Sequence, residues 1–437
     1  MQDFPSRSFA VVGSGVAGLT AAYLLSAQHR VTLFEADDRL GGHAHTHEVP
    51  LSGGRTVSVD SGFIVHNDRT YPTLLRIFDE LGVTTQDTDM SMSIRNEQTG
   101  LEYAGALGLS GLFPTLRTAT RGQYLLMLGE VRRFHRAARR HLETAEGTSA
   151  DEPLTEFVAR ERFSPYFVDN FLLPVVAAVW SCDATSAASY PARYLFAFLD
   201  HHGMLSVFGS PTWRTVTGGS ARYVEKIAGA VTSSGGSIHL GAPVNSVHEN
   251  EGERRVIVEA AGTGTLDFDG VVIATHPHQA LAMLDDATDL QRQVLSAITY
   301  APKPAVLHTD LRLLPRARRA RASWNYQIRD QSDVAVTYDL TRLMRLSDED
   351  PRMLVTLGRT DLVDPSTVIA EMTYEHPLYT TGSVAAQQLL PDIATDRIAF
   401  AGAYHGWGFH EDGASSGVAA AGRLGVTWSS HPAAVAI

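Results

Sequence analysis

Three sets of residues in this chain have the types and spacing to do chemistry. The first is Gly13-Ser14-Gly15-Val16-Ala17-Gly18, preceded by the apolar run Phe9-Ala-Val-Val12 and followed, 22 residues after Gly13, by Glu35. Glycines so placed permit a tight turn at Gly13, close approach of backbone to a pyrophosphate at Gly15, and contact of helix with strand at Gly18. A helix starting there offers unpaired N–H groups and the positive end of its dipole to phosphate. The Glu35 carboxylate, with Ala36 beside it, can accept ribose hydroxyls and repels a 2′-phosphate, which points away from NADP. The second set is Tyr404-His405-Gly-Trp407-Gly-Phe409-His410-Glu411-Asp412-Gly413. Here His405, His410 and Glu411 either move protons as acid or base or only orient the loop. The third is His43, His45 and His47, alternate residues that on a strand would share one face, as in a metal site. They follow the pair Gly41-Gly42, and packing against a cofactor explains them better than metal does; no metal is expected. No Gly-x-Ser-x-Gly elbow is present.

Elements that would position these residues are legible in the apolar pattern. Residues 1 to about 75 read as strand, helix and strand, then the strand Val59-Asp60-Ser61-Gly62-Phe63. A helix is predicted from Thr73, stopped by Gly82, followed by short strands over 90–108 and a long helix over 121–143. From Leu154 to Phe208 the pattern is helical and rich in aromatic residues, more suited to the core of a helical lobe than to a ligand box. The run 213–220 is predicted to return to a helix. Strands are expected at 237–244, 244–248, 254–259 and 271–274, with turns at Gly252 and Gly262-Thr-Gly264. Residues 295–360 read as β-rich. A strand then ends on Gly402, with residues 404–413 as a loop and a helix from Ala414 to Arg423.

Composition excludes several functions. With 437 residues, 44% of them apolar, the chain can bury a sizeable core, and two intertwined lobes are expected. A net charge of −12 argues against nucleic acid as a partner. The single cysteine, Cys182, allows neither an internal disulfide nor a thiolate cluster, as suits a cytoplasmic protein. No signal peptide is apparent, and no apolar run approaches the ~20 residues of a membrane span. Two arginine-rich segments, 131–140 and 312–321, stand out in an acidic chain. They read either as solvated faces or as patches that meet anionic headgroups at the inner surface of a membrane.

Arg39-Leu-Gly41-Gly42-His43 followed by Ser61-Gly62-Phe63 resembles the second glycine pair and the ring-facing strand of FAD-containing amine oxidases and phytoene-desaturase-like enzymes. Most of the chain is similar to the FAD-dependent amine oxidase superfamily. Within it, the chain resembles a bacterial NAD/FAD-binding, amine-oxidase-like group that is itself similar to the N-terminal half of plant cyclopropane fatty acid synthases. The blocks carrying the likeness are 39–46, 60–67, Trp180-Ser, 307–310, 323–326, Glu375-His-Pro-Leu-Tyr379 and 402–413.

The resemblance implies an α/β, two-domain FAD-binding Rossmann-like fold with a mixed α+β substrate domain. The FAD-binding domain would be residues 1–75, 213–290 and 391–430, and the substrate domain 76–212 and 291–390. It further implies that Val244 contacts adenine through its backbone and that Ala274 ends a cofactor-facing strand. Gly402, Ala403, Asp412, Gly413 and Ala414 would meet the flavin at a helix N-terminus. Lys303 stands where those oxidases place a lysine near flavin N5, and a surface lysine is the alternative. The chain departs from the amine oxidases in carrying His43 in place of Arg and Phe409 in place of a cage Tyr. No cysteine lies near 401–406, so the FAD is expected to be non-covalent. The implied activity is a flavin oxidoreductase of lipid chemistry, abstracting a hydride from a fatty-acyl chain. Its rivals are an amine or amino-acid oxidase releasing hydrogen peroxide, a non-catalytic FAD-stabilised partner of a lipid methyltransferase, and an NAD-linked dehydrogenase.

Overall fold

The structure, a computed structural model, describes residues 6–144, 152–180, 184–206, 209–250, 252–329 and 334–428. Cys182, Ser181 and Phe208 lie outside the described residues, as does most of the loop expected at 146–153. A mixed α/β fold is built on two large sheets. The first is parallel, in the order Ser237–His239, Arg30–Phe34, Ser8–Val12, Gly270–Ile273, Ile398–Phe400. Its strands are buried on both faces, so they read as apolar runs rather than alternations. Phe9 and Val11 pack toward the helices Val16–Ser26, Ala221–Ser233 and His410–Arg423. Ala10 and Val12 face the other way, onto a three-stranded antiparallel sheet made of Val244–Asn250, Arg255–Ala260 and Gly264–Phe268.

The second large sheet has seven strands, ordered Val368–Pro377, Tyr300–His308, Leu354–Gly358, Val334–Asp339, Trp324–Ile328, Met92–Asn96, Leu101–Ala104. A helical lobe lies against it, with Phe134, Phe157, Phe163, Phe167 and Phe196 closely packed on one another. These rings form core, as their pattern suggested. Residues 168–172 make a π-turn directly before the helix Leu173–Trp180. Pro174 accounts for it: its ring would clash with the carbonyl four residues back, and widening the turn relieves the clash.

Several elements differ from the sequence pattern. Trp213–Val216 is a strand between Val65–Asn67 and Thr85–Asp87, and the helix begins only at Ala221. The β-branched Thr215 and Val216 and the positive φ of Gly218 and Gly219 favour strand and turn there. The closing helix starts at His410, four residues before Ala414, so His410 to Gly413 are its first turn and not a loop. The Asp412 side chain accepts from the Phe409 amide at 2.8 Å, a capping contact that fixes this earlier start. The strand Gly264–Phe268 escaped the pattern because four of its five residues are exposed. No helix among the described residues is long and apolar enough to cross a membrane.

Candidate functional site

The glycine turn, the second glycine pair and the closing helix meet in one place. Gly13 has φ +94°, and a Cβ on it would lie 2.8 Å from the Ala274 carbonyl oxygen. On Gly18 a Cβ would come within 1.9 Å of the Gly13 oxygen and 3.1 Å of the Ala274 side chain. Glycine is required at both. At Gly15 a Cβ would meet nothing within 4 Å, so open space faces the start of the helix Val16–Ser26, where Gly15 supplies no side-chain cap. Those first-turn amides are free to bind an anion.

Gly42 lies across this opening, where a Cβ on it would come 3.2 Å from the Gly15 Cα, and the Gly41 amide donates to the Ser14 carbonyl at 3.1 Å. Arg39 braces the pair by donating to the Gly42 carbonyl at 2.9 Å. Glu35 ends its strand beside the turn, accepting from the amides of Ser14 at 2.8 Å and Asp37 at 2.9 Å. Ala36 comes next, and the Glu35 carbonyl accepts from Ala242 at 2.8 Å, which brings the Val244 strand alongside. The closing helix packs on the first helix through Gly413 and Gly417, where Cβ atoms would fall 2.6 Å from Val16 Cγ1 and 2.4 Å from the Ala17 oxygen. Residue numbers rise together along both helices at these contacts, so both N-termini open at the same end. Ala403 lies 3.8 Å from that Gly413 position, and Gly402 is tied to Ser416 at 2.9 Å. Ala414 is fully buried in the closing helix.

Beyond the turn, Gly62 permits the 2.7 Å bond from the Phe63 amide to the His43 carbonyl; a Cβ there would sit 2.2 Å from that oxygen. The three alternating histidines do not share a strand face, because the strand begins at Thr46. They surround Tyr374 instead. His43 lies 5.0 Å from its ring, His45 bonds its hydroxyl at 3.2 Å, and Ser61 links that hydroxyl (2.6 Å) to His47 (2.8 Å). His376 and His276 complete the cluster at 5.5 and 6.3 Å from His43. Buried His43 Nε2, His376 Nδ1 and both ring nitrogens of His66 have no hydrogen-bond partner among the described residues.

Burial holds these histidines neutral. His43 is pushed well below its ordinary range, first by burial and then by the neighbouring His376, His276, His410 and Arg39. His376 falls to about 4 by burial, with the Lys303 charge adding to it. His410 falls to about 3, by burial and then His66. It stacks on Phe63 at 3.6 Å and bonds the Tyr223 hydroxyl at 2.8 Å. Asp412 moves the other way, to about 7, because burial outweighs the Phe409 amide that stabilises its anion.

Not every candidate meets this cluster. Lys303 lies on the other sheet, but its register opposite Tyr374 puts it on the same face as Tyr374 and His376. His405 packs on Tyr404 with an unpartnered Nε2, and burial lowers it to about 4. The Glu411 carboxylate accepts the Thr73 and Leu74 amides at 2.8 and 3.0 Å, capping the helix Pro72–Glu80. Ser14, His66, Tyr223, Tyr374 and His376 carried no spacing signal. Tyr374 and His376 become neighbours of Lys303 only through strand pairing. His276, His278 and Glu375 also converge, their ligand atoms within 4.8 Å of one another.

Free first-turn amides, an open cradle at Gly15, a carboxylate at the strand end and unpartnered imidazoles beyond it together fit an extended dinucleotide with a large ring system. A family model described as flavin containing amine oxidoreductase matches residues 16–310. Coproporphyrinogen III oxidase of Mycobacterium leprae (strain TN) is 31% identical over 188 residues, 41% of this chain and 39% of that protein. The curated relatives are matched over 39% of their own length or less. Among solved structures, cyclohexylamine oxidase from Brevibacterium oxydans IH-35A aligns with TM-score 0.68 and 17% identity, over 96% of this chain and 98% of that one. A CLA-producing fatty acid isomerase from P. acnes aligns with TM-score 0.67 and 16% identity, over 97% and 99%. At such identities the shared property is the fold.

Proposed function

The chain belongs to the flavin-containing amine oxidoreductase family, and from that premise we propose that it is an FAD-dependent oxidoreductase acting on an apolar, fatty-acyl substrate. FAD, non-covalently bound, supplies the capacity to accept a hydride from a C–H bond. The residues supply position. The first-turn amides after Gly15 and the Gly41-Gly42 pair would hold the pyrophosphate, and Glu35 the ribose. The N-terminus of His410–Arg423 favours negative charge in front of it.

One observation carries the substrate class: aromatic rings line the closing turn, and its two carboxylates are engaged by backbone amides, Glu411 by Thr73 and Leu74 and Asp412 by Phe409. Phe198 stacks on Phe409 at 4.8 Å, with Trp180 6.5 Å from Phe409. The Tyr194 and Tyr379 hydroxyls both donate to the Gly406 carbonyl, at 2.7 and 3.0 Å. His43, His376 and His410 are neutral, and Asp412 titrates near neutrality. An ammonium group would be poorly served there. The fold is shared by a fatty acid isomerase and by cyclohexylamine oxidase alike, so it accommodates either substrate class and the choice rests on the lining.

The test is anaerobic mixing of the purified holoprotein with dispersed fatty acids, phospholipids and primary amines, following the flavin's visible band. Bleaching by an acyl chain and not by amines is expected; bleaching by amines alone would reject the proposal. Bleaching by neither would favour a non-catalytic partner of a lipid methyltransferase. The amine oxidase alternative draws on Lys303, which shares a sheet face with Tyr374 and His376. It requires Lys303→Met to slow flavin reduction.

A further inference from the structure

We propose that the surface formed by residues 108–126 and the turn at Arg318–Ala320 docks on an anionic membrane. Between Glu102 and Glu130 the chain has no acidic residue, although it holds 48 of them in 437. That acid-free stretch folds into the short helices Gly108–Leu112 and Leu116–Ala119 and the first turns of Gly122–Thr144. Leu109, Leu116, Leu125 and Leu126 project from it, 76%, 88%, 46% and 73% exposed. A scattered exposed leucine needs no explanation, but four in one stretch do.

These helices form one face. The Tyr124 hydroxyl donates to the Leu112 carbonyl at 2.9 Å, and the rings of Phe113 and Tyr124 lie 6.1 Å apart. Helix Gly108–Leu112 packs on the turn Arg318–Ala320. Cations share these segments: Arg117 follows Leu116, Arg121 precedes Gly122, and Arg318 and Arg319 sit on the turn that helix Gly108–Leu112 contacts. Arg117 and Arg121 both approach Gly100, and Arg316, Arg318 and Arg319 are exposed. Glu102, which precedes the acid-free stretch, accepts the backbone amides of Arg316 and Ala317 at 3.0 and 2.7 Å. Among the described residues Arg117, Arg318 and Arg319 form no ion pair.

The basic second half of the long helix is a different case. Arg133 reaches the Glu161 and Arg162 carbonyls, Arg139 pairs with Asp200, and Arg140 with Glu161. Exposed leucines on an acid-free stretch that also carries exposed arginines, in a chain of net charge −12, complement a surface that is apolar inside and negative at its face. Docking of this kind is shallow and does not depend on whether lipid is also the substrate.

The experiment is co-sedimentation of the holoprotein with vesicles of phosphatidylcholine alone or mixed with phosphatidylglycerol. Binding to the mixed vesicles only, weakened by salt, is expected. The double variant Leu116→Ser/Leu126→Ser should lose about tenfold in partitioning, and Arg318→Glu/Arg319→Glu a similar factor. Both should keep the parent's FAD content and melting temperature, since these side chains are exposed. Absence of binding to anionic vesicles overturns the proposal, as does undiminished binding by both variants. So does a dimer in free solution that the leucine variant converts to a monomer while vesicle binding persists.

Discussion

Around the first helix the chain packs by doing without side chains, whereas the helical lobe packs by enlarging them. Gly18 touches Gly13, Gly413 touches Val16, and Gly417 touches Ala17, at distances where a single added carbon would overlap. In the lobe, Phe134 is ringed by Phe157, Phe163, Phe167 and Phe196, with centroids 5.6 to 6.4 Å apart. Backbone-to-backbone contact tolerates no substitution, and it brings N–H groups within reach of a ligand. Contact between side chains can be met by many combinations of similar volume. The first kind of packing fits a site that must hold one fixed ligand. The second fits a buried core, where shape can change as long as volume is kept.

The largest effect is expected at Gly18. Gly18→Val would force the helix off the strand, and we expect loss of bound FAD together with loss of soluble folded protein. A yellow, folded variant would show that the glycine contacts are dispensable. In the lobe, Phe196→Ala should cost about 3–5 kcal/mol of stability while the protein, still folded at low temperature, retains its FAD. Phe196→Leu should cost much less. Denaturant titration with flavin absorbance as a second probe separates the outcomes, and FAD loss in step with stability would erase the distinction.

The same contrast explains what could be read from the sequence. Gly13, Gly15, Gly18 and Glu35 were legible because their constraint is spacing along the chain. Spacing also marked the parallel strands, whose burial on both faces leaves apolar runs. Tyr374 was not legible, and His66 and His376 were marked only as members of the blocks 60–67 and 375–379, without a role. Their neighbours come from strands and turns far apart in sequence, and an alternating Tyr-x-His says nothing until its partner strand is known. The start of the closing helix was misplaced for a related reason. Glycine at 406, 408 and 413 suggests a loop, and only the capping contact of Asp412 shows that the helix is under way by His410.

Near the glycine site, His43, His376, His410 and Asp412 are buried together, and their titration bears on stability. A histidine whose folded pKa is lowered contributes stability above its unfolded value and loses it as the pH falls toward the folded one. For His376, lowered from 6.5 to about 4, that window runs from about pH 6.5 down to 4. His376→Gln should flatten the acid limb by on the order of 3 kcal/mol at most. Asp412 has the opposite sign. Raised from 3.8 to about 7, it stabilises the folded state fully below about pH 3.8, and this contribution is lost between there and about 7. Asp412→Asn should therefore remove a fall in stability over that same window, opposite in slope to the effect of His376. Denaturation midpoints across this range check both slopes, and parallel profiles for parent and variants would mean that neither group titrates with folding.

The smallest effect is expected at Glu411, where the two modes of packing are joined. Its carboxylate leaves the closing helix to cap the helix Pro72–Glu80, taking the Thr73 and Leu74 amides. Burial raises its pKa while those same bonds lower it, so the anion is held by the amides and by the dipole of the helix it caps. Glu411→Gln keeps one carbonyl acceptor and loses the charge, and should cost about 1 kcal/mol with little change in the rate of flavin reduction. Glu411→Ala leaves both amides without an acceptor and should cost more. An acid or base beside the ring would behave differently: Glu411→Gln would then arrest reduction while leaving the melting temperature in place. Measuring both quantities on the same variant decides between the two roles, because a cap acts on stability first and a proton carrier acts on rate first.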